Sequence, residues 1–191
     1  MSGRRLAVAV ASAGLLAGTL CVPASAATSA SSAGPVYWYQ VVAQHSGKCL
    51  DVAYARTGHA ANVIQGTCAP RGSGYNQQWR IVDSGASGNY IRLIARHSGL
   101  CLDVAYASTK HGANVIQGVC GGPAAYNQQW RIEYVKSDGT ARIRARHSGK
   151  CLDVANARLE HGANVIQGTC GGPGSGNNQL WRFQQVGVSW E

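Results

Sequence analysis

Cys101-Leu102-Asp103-Val104-Ala105-Tyr106, Gly112-Ala113-Asn114-Val115-Ile116-Gln117-Gly118-Val119-Cys120 and Asn127-Gln128-Gln129-Trp130 form the stretch that decides the fold, because the chain carries it three times. The first copy runs from Cys49-Leu50-Asp51-Val52 through Asn62-Val63-Ile64-Gln65-Gly66 and Cys68 to Asn76-Gln77-Gln78-Trp79. The third runs from Cys151-Leu152-Asp153-Val154 through Asn164-Val165-Ile166-Gln167-Gly168 and Cys170 to Asn178-Gln179-Leu180-Trp181. The tryptophans repeat at a period of 51, and the first cysteines at 52 and then 50. A fixed period of this length marks a repeat architecture.

Each copy reads as strand. Tyr37-Trp38-Tyr39-Gln40-Val41-Val42 is rich in aromatic and branched residues, and His45-Ser46-Gly47-Lys48 is turn chemistry. Cys49 to Ala53 and Asn62 to Cys68 follow as two short strands, and Trp79-Arg80-Ile81-Val82 as a fourth. Helical periodicity is absent outside the N-terminal segment. Four strands in each of three repeats are too few for a propeller, and the end repeats are too regular for the caps of a solenoid. Three equal units closing around one axis remove exposed sheet edges. The expectation is an all-β fold, a β-trefoil of three repeats at about 36–85, 86–137 and 138–188. The three tryptophans, with the Leu and Val flanking each Asp, are expected to supply the shared core.

The N-terminus reads as a secretory signal. Arg4 and Arg5 precede an apolar run from Leu6 to Val22, and Ala24-Ser25-Ala26 offers a cleavage site, so residues 1–26 are expected to be removed. Leu20 before Cys21 argues against a lipoprotein. Residues 27–35 are small and polar and are expected to be a disordered leader. Removal of residues 1–26 leaves 165 residues, enough to bury roughly 70% of the extended-chain surface. No later segment reaches membrane-spanning length.

Six cysteines remain after Cys21 is lost, two per repeat and always 19 apart. Equivalent units should pair alike, which predicts Cys49–Cys68, Cys101–Cys120 and Cys151–Cys170, in keeping with export. No CxxC occurs, and neither a metal nor another cofactor is expected. The formal charge falls from +9 to +7 when Arg4 and Arg5 leave. Arg142, Arg144 and Arg146 alternate along one strand and read as a solvated face, so no nucleic-acid partner is expected.

The three Cys-Leu-Asp-Val segments, the second cysteines and the three Gln-x-Trp motifs (Gln77-Gln78-Trp79, Gln128-Gln129-Trp130, Gln179-Leu180-Trp181) closely resemble the ricin B-chain-type β-trefoil lectins, or carbohydrate-binding module family 13. The resemblance covers about residues 36–188. It implies a sugar-binding trefoil with up to three sites, one per lobe. Asp51, Asp103 and Asp153 match the family's sugar-binding aspartate, and Asn76, Asn127 and Asn178 its asparagine. Gln77, Gln128 and Gln179 fall where the family's glutamine braces the site. An ionised Asp accepts two hydroxyl protons at once, which suits vicinal sugar hydroxyls. A binding Asp is expected to face solvent in its pocket, so that Asp103→Ala would remove one site and leave the fold intact.

One departure stands out. The family's stacking aromatic, two residues before the second cysteine, is replaced by Gly66, Gly118 and Gly168. Tyr54 and Tyr106, or Tyr75 and Tyr126, are the candidate substitutes, while the third lobe has Asn156 and Asn177 there and is expected to bind most weakly. If the glycine position faced the sugar, Gly118→Trp would strengthen binding. His45, His97 and His147, and His59, His111 and His161, recur without a partner motif and are expected to hydrogen-bond turns; lining of the sugar pocket by the second set is left open.

The expected protein is therefore a secreted, monomeric lectin for polysaccharide or cell-surface glycans, not an enzyme and not inserted in a membrane. A protein-interaction trefoil, such as an inhibitor or toxin-associated module, is the alternative. A small glycosidase would need two carboxylates of different roles, and the acids outside the repeat, Asp83, Glu133, Asp138 and Glu160, sit in no motif.

Overall fold

A computed structural model of the chain describes residues 34–172 and 176–190. The expected signal at 1–26 and all but the end of the leader at 27–35 lie outside these residues. Among the described residues there are twelve strands. The first lobe holds β1 (Pro35–Ala43), β2 (Cys49–Val52), β3 (Val63–Gly66) and β4 (Trp79–Asp83). The second holds β5 (Ile91–Ala95), β6 (Cys101–Val104), β7 (Ala113–Gly118) and β8 (Trp130–Tyr134). The third holds β9 (Ala141–Ala145), β10 (Cys151–Val154), β11 (Val165–Gly168) and β12 (Trp181–Trp190). All pairings are antiparallel.

The outer strands of the lobes form a ring. β1 pairs β4, β4 pairs β5, β5 pairs β8, β8 pairs β9, β9 pairs β12, and β12 returns to β1. This closed six-stranded barrel leaves no edge among its own strands. The inner pairs β2–β3, β6–β7 and β10–β11 are hairpins of identical register: Asp51 opposes Ile64, Asp103 opposes Ile116, and Asp153 opposes Ile166. The architecture is the β-trefoil that the repeat predicts.

Alternation explains the core. In each hairpin the residues flanking Asp point inward, and Leu50, Val52, Leu102, Val104, Leu152 and Val154 are fully buried. Trp79, Trp130 and Trp181 are fully buried too. Each indole Nε1–H donates at 3.0 Å to the carbonyl of the leucine before the site aspartate, Leu50, Leu102 or Leu152. A buried indole needs such a partner. The same bond ties the barrel strand that begins at Trp to the hairpin that carries Asp.

Two further sets of contacts join the lobes. Asn62, Asn114 and Asn164 form a closed ring, each side-chain amide donating to the next carbonyl oxygen at 2.9 Å. Gln65, Gln117 and Gln167, fully buried, each reach into the loop of the preceding lobe in the cycle. Gln117 Nε2 donates to the carbonyls of Arg56 and Gly58, at 2.7 and 2.8 Å. Gln65 does the same to Arg158 and Glu160, and Gln167 to Ser108 and Lys110. Ser46, Ser98 and Ser148 donate to the other end of these amides and fix their orientation. The disulfides Cys49–Cys68, Cys101–Cys120 and Cys151–Cys170 form within the lobes, as the repeat predicts.

Candidate carbohydrate site

The site is built at the end of each hairpin. Asp51 sits on β2, and the chain turns directly after Val52 into a short 3-10 turn, Ala53–Ala55. A second short turn, Tyr75–Gln77, delivers Asn76 and Gln77 to the carboxylate. Asn76 Nδ2 donates to Asp51 Oδ1 at 2.6 Å, and Gln77 Nε2 donates to Oδ2 at 2.8 Å. Lobe two repeats this with Asn127 and Gln128 on Asp103, at 2.6 and 2.8 Å. Lobe three repeats it with Asn178 and Gln179 on Asp153, at 2.5 and 2.7 Å. Each predicted Asp–Asn–Gln set is therefore brought together within its own lobe.

The glutamines are saturated by the protein. Gln77 also donates to the Thr67 carbonyl and accepts from the Ala69 amide through Oε1. Gln128 and Gln179 make the same set with Val119 and Gly121, and with Thr169 and Gly171. Their side chains brace the carboxylate and the chain beyond the second cysteine. The asparagines are half-buried.

The expectation of a solvent-facing aspartate is corrected by the structure. Asp51, Asp103 and Asp153 are only 4%, 5% and 5% exposed. Burial pushes their carboxyl pKa values above the ordinary 3.8; the glutamine and asparagine amides, with nearby histidines, offset part of that rise.

Burial of the carboxylate also explains the glycines at the family's stacking position. A Cβ on Gly66, Gly118 or Gly168 would fall far inside van der Waals contact of Oδ2 of Asp51, Asp103 or Asp153. That position meets the carboxylate, so a side chain there displaces the aspartate and does not add a platform to the sugar.

Aromatic candidates divide into two groups. Tyr54 and Tyr106 are 89% and 101% exposed beside the site, and the Arg56 guanidinium lies 5.6 Å from the Tyr54 ring centroid. Their backbone is left-handed, with φ of 58° at each, and Ala55 and Ala107 follow at 49° and 48°. Two consecutive non-glycine residues with positive φ are uncommon and hold the ring outward. Asn156 and Ala157 keep the same backbone in lobe three but without a ring. Tyr75 and Tyr126 each carry a guanidinium, of Arg96 and Arg146, 4.3 Å from the ring centroid. One face of each is thus already occupied.

In lobe one these groups line a cleft of about 740 Å³, with Asp51, Asn76, Tyr54, Arg56 and His161 on its walls. His161 belongs to lobe three. The histidines, read from the sequence as turn residues, in fact bond across lobe boundaries. His45, His97 and His147 lie within 2.9–3.0 Å, through Nε2, of the carbonyls of Arg158, Arg56 and Ser108. His161, His59 and His111 accept, through Nδ1, the backbone amides of Thr67, Val119 and Thr169. The buried glutamines of Asn-Val-Ile-Gln-Gly were also missed; their signal was a polar residue repeated in every lobe amid an apolar strand.

The basic stripe is partnered. Arg144 pairs with Glu133, Arg146 donates to Gln129, and Arg142 donates to the Gly172 carbonyl. The unrepeated acids are also engaged: Glu133 by Arg131 and Arg144, Asp138 by Arg182, Glu160 by Arg158, and Asp83 by the Gly85 amide. Among the described residues, no helix is long and apolar enough to cross a membrane.

The fold and its threefold Asp–Asn–Gln sites define a ricin-type β-trefoil lectin domain. The chain belongs to that family: the profile of the ricin-type β-trefoil lectin domain matches residues 89–189, and that of a ricin-type β-trefoil lectin domain-like family matches 25–118. Among solved structures, the designed threefold-symmetric protein ThreeFoil is 51% identical, with a TM-score of 0.68, covering 76% of this chain and 96% of that one. An exo-β-1,3-galactanase from Clostridium thermocellum is 34% identical, with a TM-score of 0.69 over 78% of this chain; the match spans only 30% of the galactanase. The Rhizoctonia solani agglutinin, at 21% identity and a TM-score of 0.63 over 80% of this chain and 95% of that one, shares the fold. No curated protein matches significantly.

Proposed function

We propose that this chain is a secreted, monomeric lectin that binds polysaccharide or cell-surface glycan through up to three sites, centred on Asp51, Asp103 and Asp153. Membership of a lectin family supports carbohydrate binding, and domains of this family are generally non-enzymatic binders. The observation that carries the reading is the lobe-one cleft, where a buried carboxylate, a half-exposed amide and an exposed tyrosine converge. The carboxylate accepts hydroxyl protons, the Asn76 amide lies beside it, and Tyr54 offers an apolar face to a ring's C–H surface. Lobe two has the same set, and lobe three lacks the tyrosine. The three bridges are consistent with an extracellular protein. The unrepeated acids are held in ion pairs or turns, which favours binding over glycoside hydrolysis.

The test is retention on immobilised polysaccharides, beginning with β-1,3-galactan because a 34% identical neighbour is a galactanase by name. Parent protein should be retained, and the triple Asp51→Asn, Asp103→Asn, Asp153→Asn variant should wash through. Equal retention of both would remove the site from this account and bring the protein-interaction alternative forward.

A further inference from the structure

We propose that each carbohydrate site is shared between two lobes, with a histidine of the neighbouring lobe as a sugar-binding residue: His161 for the Asp51 site, His59 for the Asp103 site and His111 for the Asp153 site. The inference rests on the lectin reading and deepens it.

The geometry is cyclic. His161, from lobe three, lines the lobe-one cleft with Asp51 and Asn76. Its Nδ1 accepts the Thr67 amide at 3.0 Å. His59 takes the Val119 amide at 3.3 Å, and His111 takes the Thr169 amide at 3.0 Å. Thr67, Val119 and Thr169 are also the residues whose carbonyls hold the bracing glutamines, so the latch sits one peptide from the site's own support. His161, His59 and His111 lie within electrostatic reach of Asp51, Asp103 and Asp153 respectively, as do His97, His147 and His45.

These contacts decide the tautomer. A backbone amide only donates, so Nδ1 must carry a lone pair and the proton of the neutral ring must sit on Nε2. Among the described residues that Nε2–H has no protein partner, and all three rings are exposed. Each site therefore presents an acceptor from its own lobe and an unfilled donor from the preceding lobe in the cycle. Sugar hydroxyls, which both donate and accept, match that combination. The turns bearing these rings are fixed from beneath by the buried glutamines: the Gly162 amide donates to the Gln65 carbonyl, Gly112 to Gln167, and Ala60 to Gln117. The donor is thus held in place before a ligand arrives, and its ordering cost is already met.

The test is a pairwise coupling experiment on immobilised β-1,3-galactan. His59→Phe should weaken retention by one site's share. Adding Asp103→Asn should weaken it no further, because both act on one site; adding Asp51→Asn should remove a second site's share. His59→Gln should keep parental retention, because the amide can accept from Val119 and donate to sugar. Coupling of His59 with Asp51, or parental retention by His59→Phe, overturns the proposal. Long-range proton–nitrogen NMR of the unliganded parent tests the geometry separately, and still does so if His59→Phe does not fold. The Nε2–H tautomer of His59, His111 and His161 is expected; the Nδ1–H tautomer overturns the assignment. If the parent fails to bind any polysaccharide while NMR shows the Nε2–H form, the lectin reading fails, and with it the sugar-binding role, leaving the rings as interlobe ties.

Discussion

Asp103→Ala separates a carboxylate that merely faces a ligand from one that also supports the fold. Asp103 is 5% exposed and accepts from Gln128 and Asn127 at 2.8 and 2.6 Å. Its removal leaves one Gln128 N–H buried without an acceptor, since the other stays on the Val119 carbonyl. Asn127 is half-buried, and water can replace its lost partner. One unsatisfied buried donor costs about 1–3 kcal/mol. Relief of the buried charge offsets part of this, so a net loss of about 1–2 kcal/mol is expected. For a domain of this size that lowers Tm by roughly 2–8 °C, at about 2–4 °C per kcal/mol. Thermal unfolding followed by near-ultraviolet circular dichroism reads the shift, with Asp83→Ala as an exposed control expected to stay within about 0.5 kcal/mol of the parent. A variant that melts with the parent, yet has lost lobe-two binding, would refute the bracing argument.

Gly118→Trp should abolish the lobe-two site and lower stability, because its Cβ displaces the Asp103 carboxylate; tighter retention on polysaccharide would show that the position faces the sugar. Tyr106→Ala should weaken binding without moving Tm, since the ring is fully exposed, and unchanged binding would exclude it as a platform. The pH dependence has opposite signs for fold and function. The folded pKa values of Asp51, Asp103 and Asp153 lie above 3.8, so these groups contribute stability that is full below pH 3.8 and lost as pH rises through the folded values. Acidification should thus abolish polysaccharide binding with a midpoint above pH 3.8, while the Tm advantage of the parent over the triple Asp→Asn variant widens; a binding midpoint at or below 3.8 would contradict the burial argument.

The repeat made the fold legible. Four strand-like segments recurring three times, with a cysteine pair and a tryptophan in each, leave few closed arrangements, and β2, β6 and β10 fall where Cys-Leu-Asp-Val places them. The Asp–Asn–Gln grouping was legible for the same reason, through identical spacing in every lobe. Burial of the aspartate was not, because it depends on turns that bring Gln77, Gln128 and Gln179 from about 26 residues downstream. The glycine at 118 was read as a missing platform when it is the clearance for that carboxylate. The interlobe roles of His59, Gln117 and Asn62 were invisible to a reading taken one repeat at a time. Each side chain bonds to a lobe other than its own, and the period alone gives no information about how lobes are juxtaposed.

The most direct measurement is a titration of uniformly nitrogen-labelled protein with a soluble oligosaccharide of the best-retained polysaccharide, followed through the side-chain amides of Asn76, Asn127 and Asn178. Saturable shifts at Asn76 and Asn127, weaker ones at Asn178, and their loss in the matching Asp→Asn variants are expected. Binding that leaves all three amides unmoved would place the carbohydrate elsewhere on the trefoil and contradict the account.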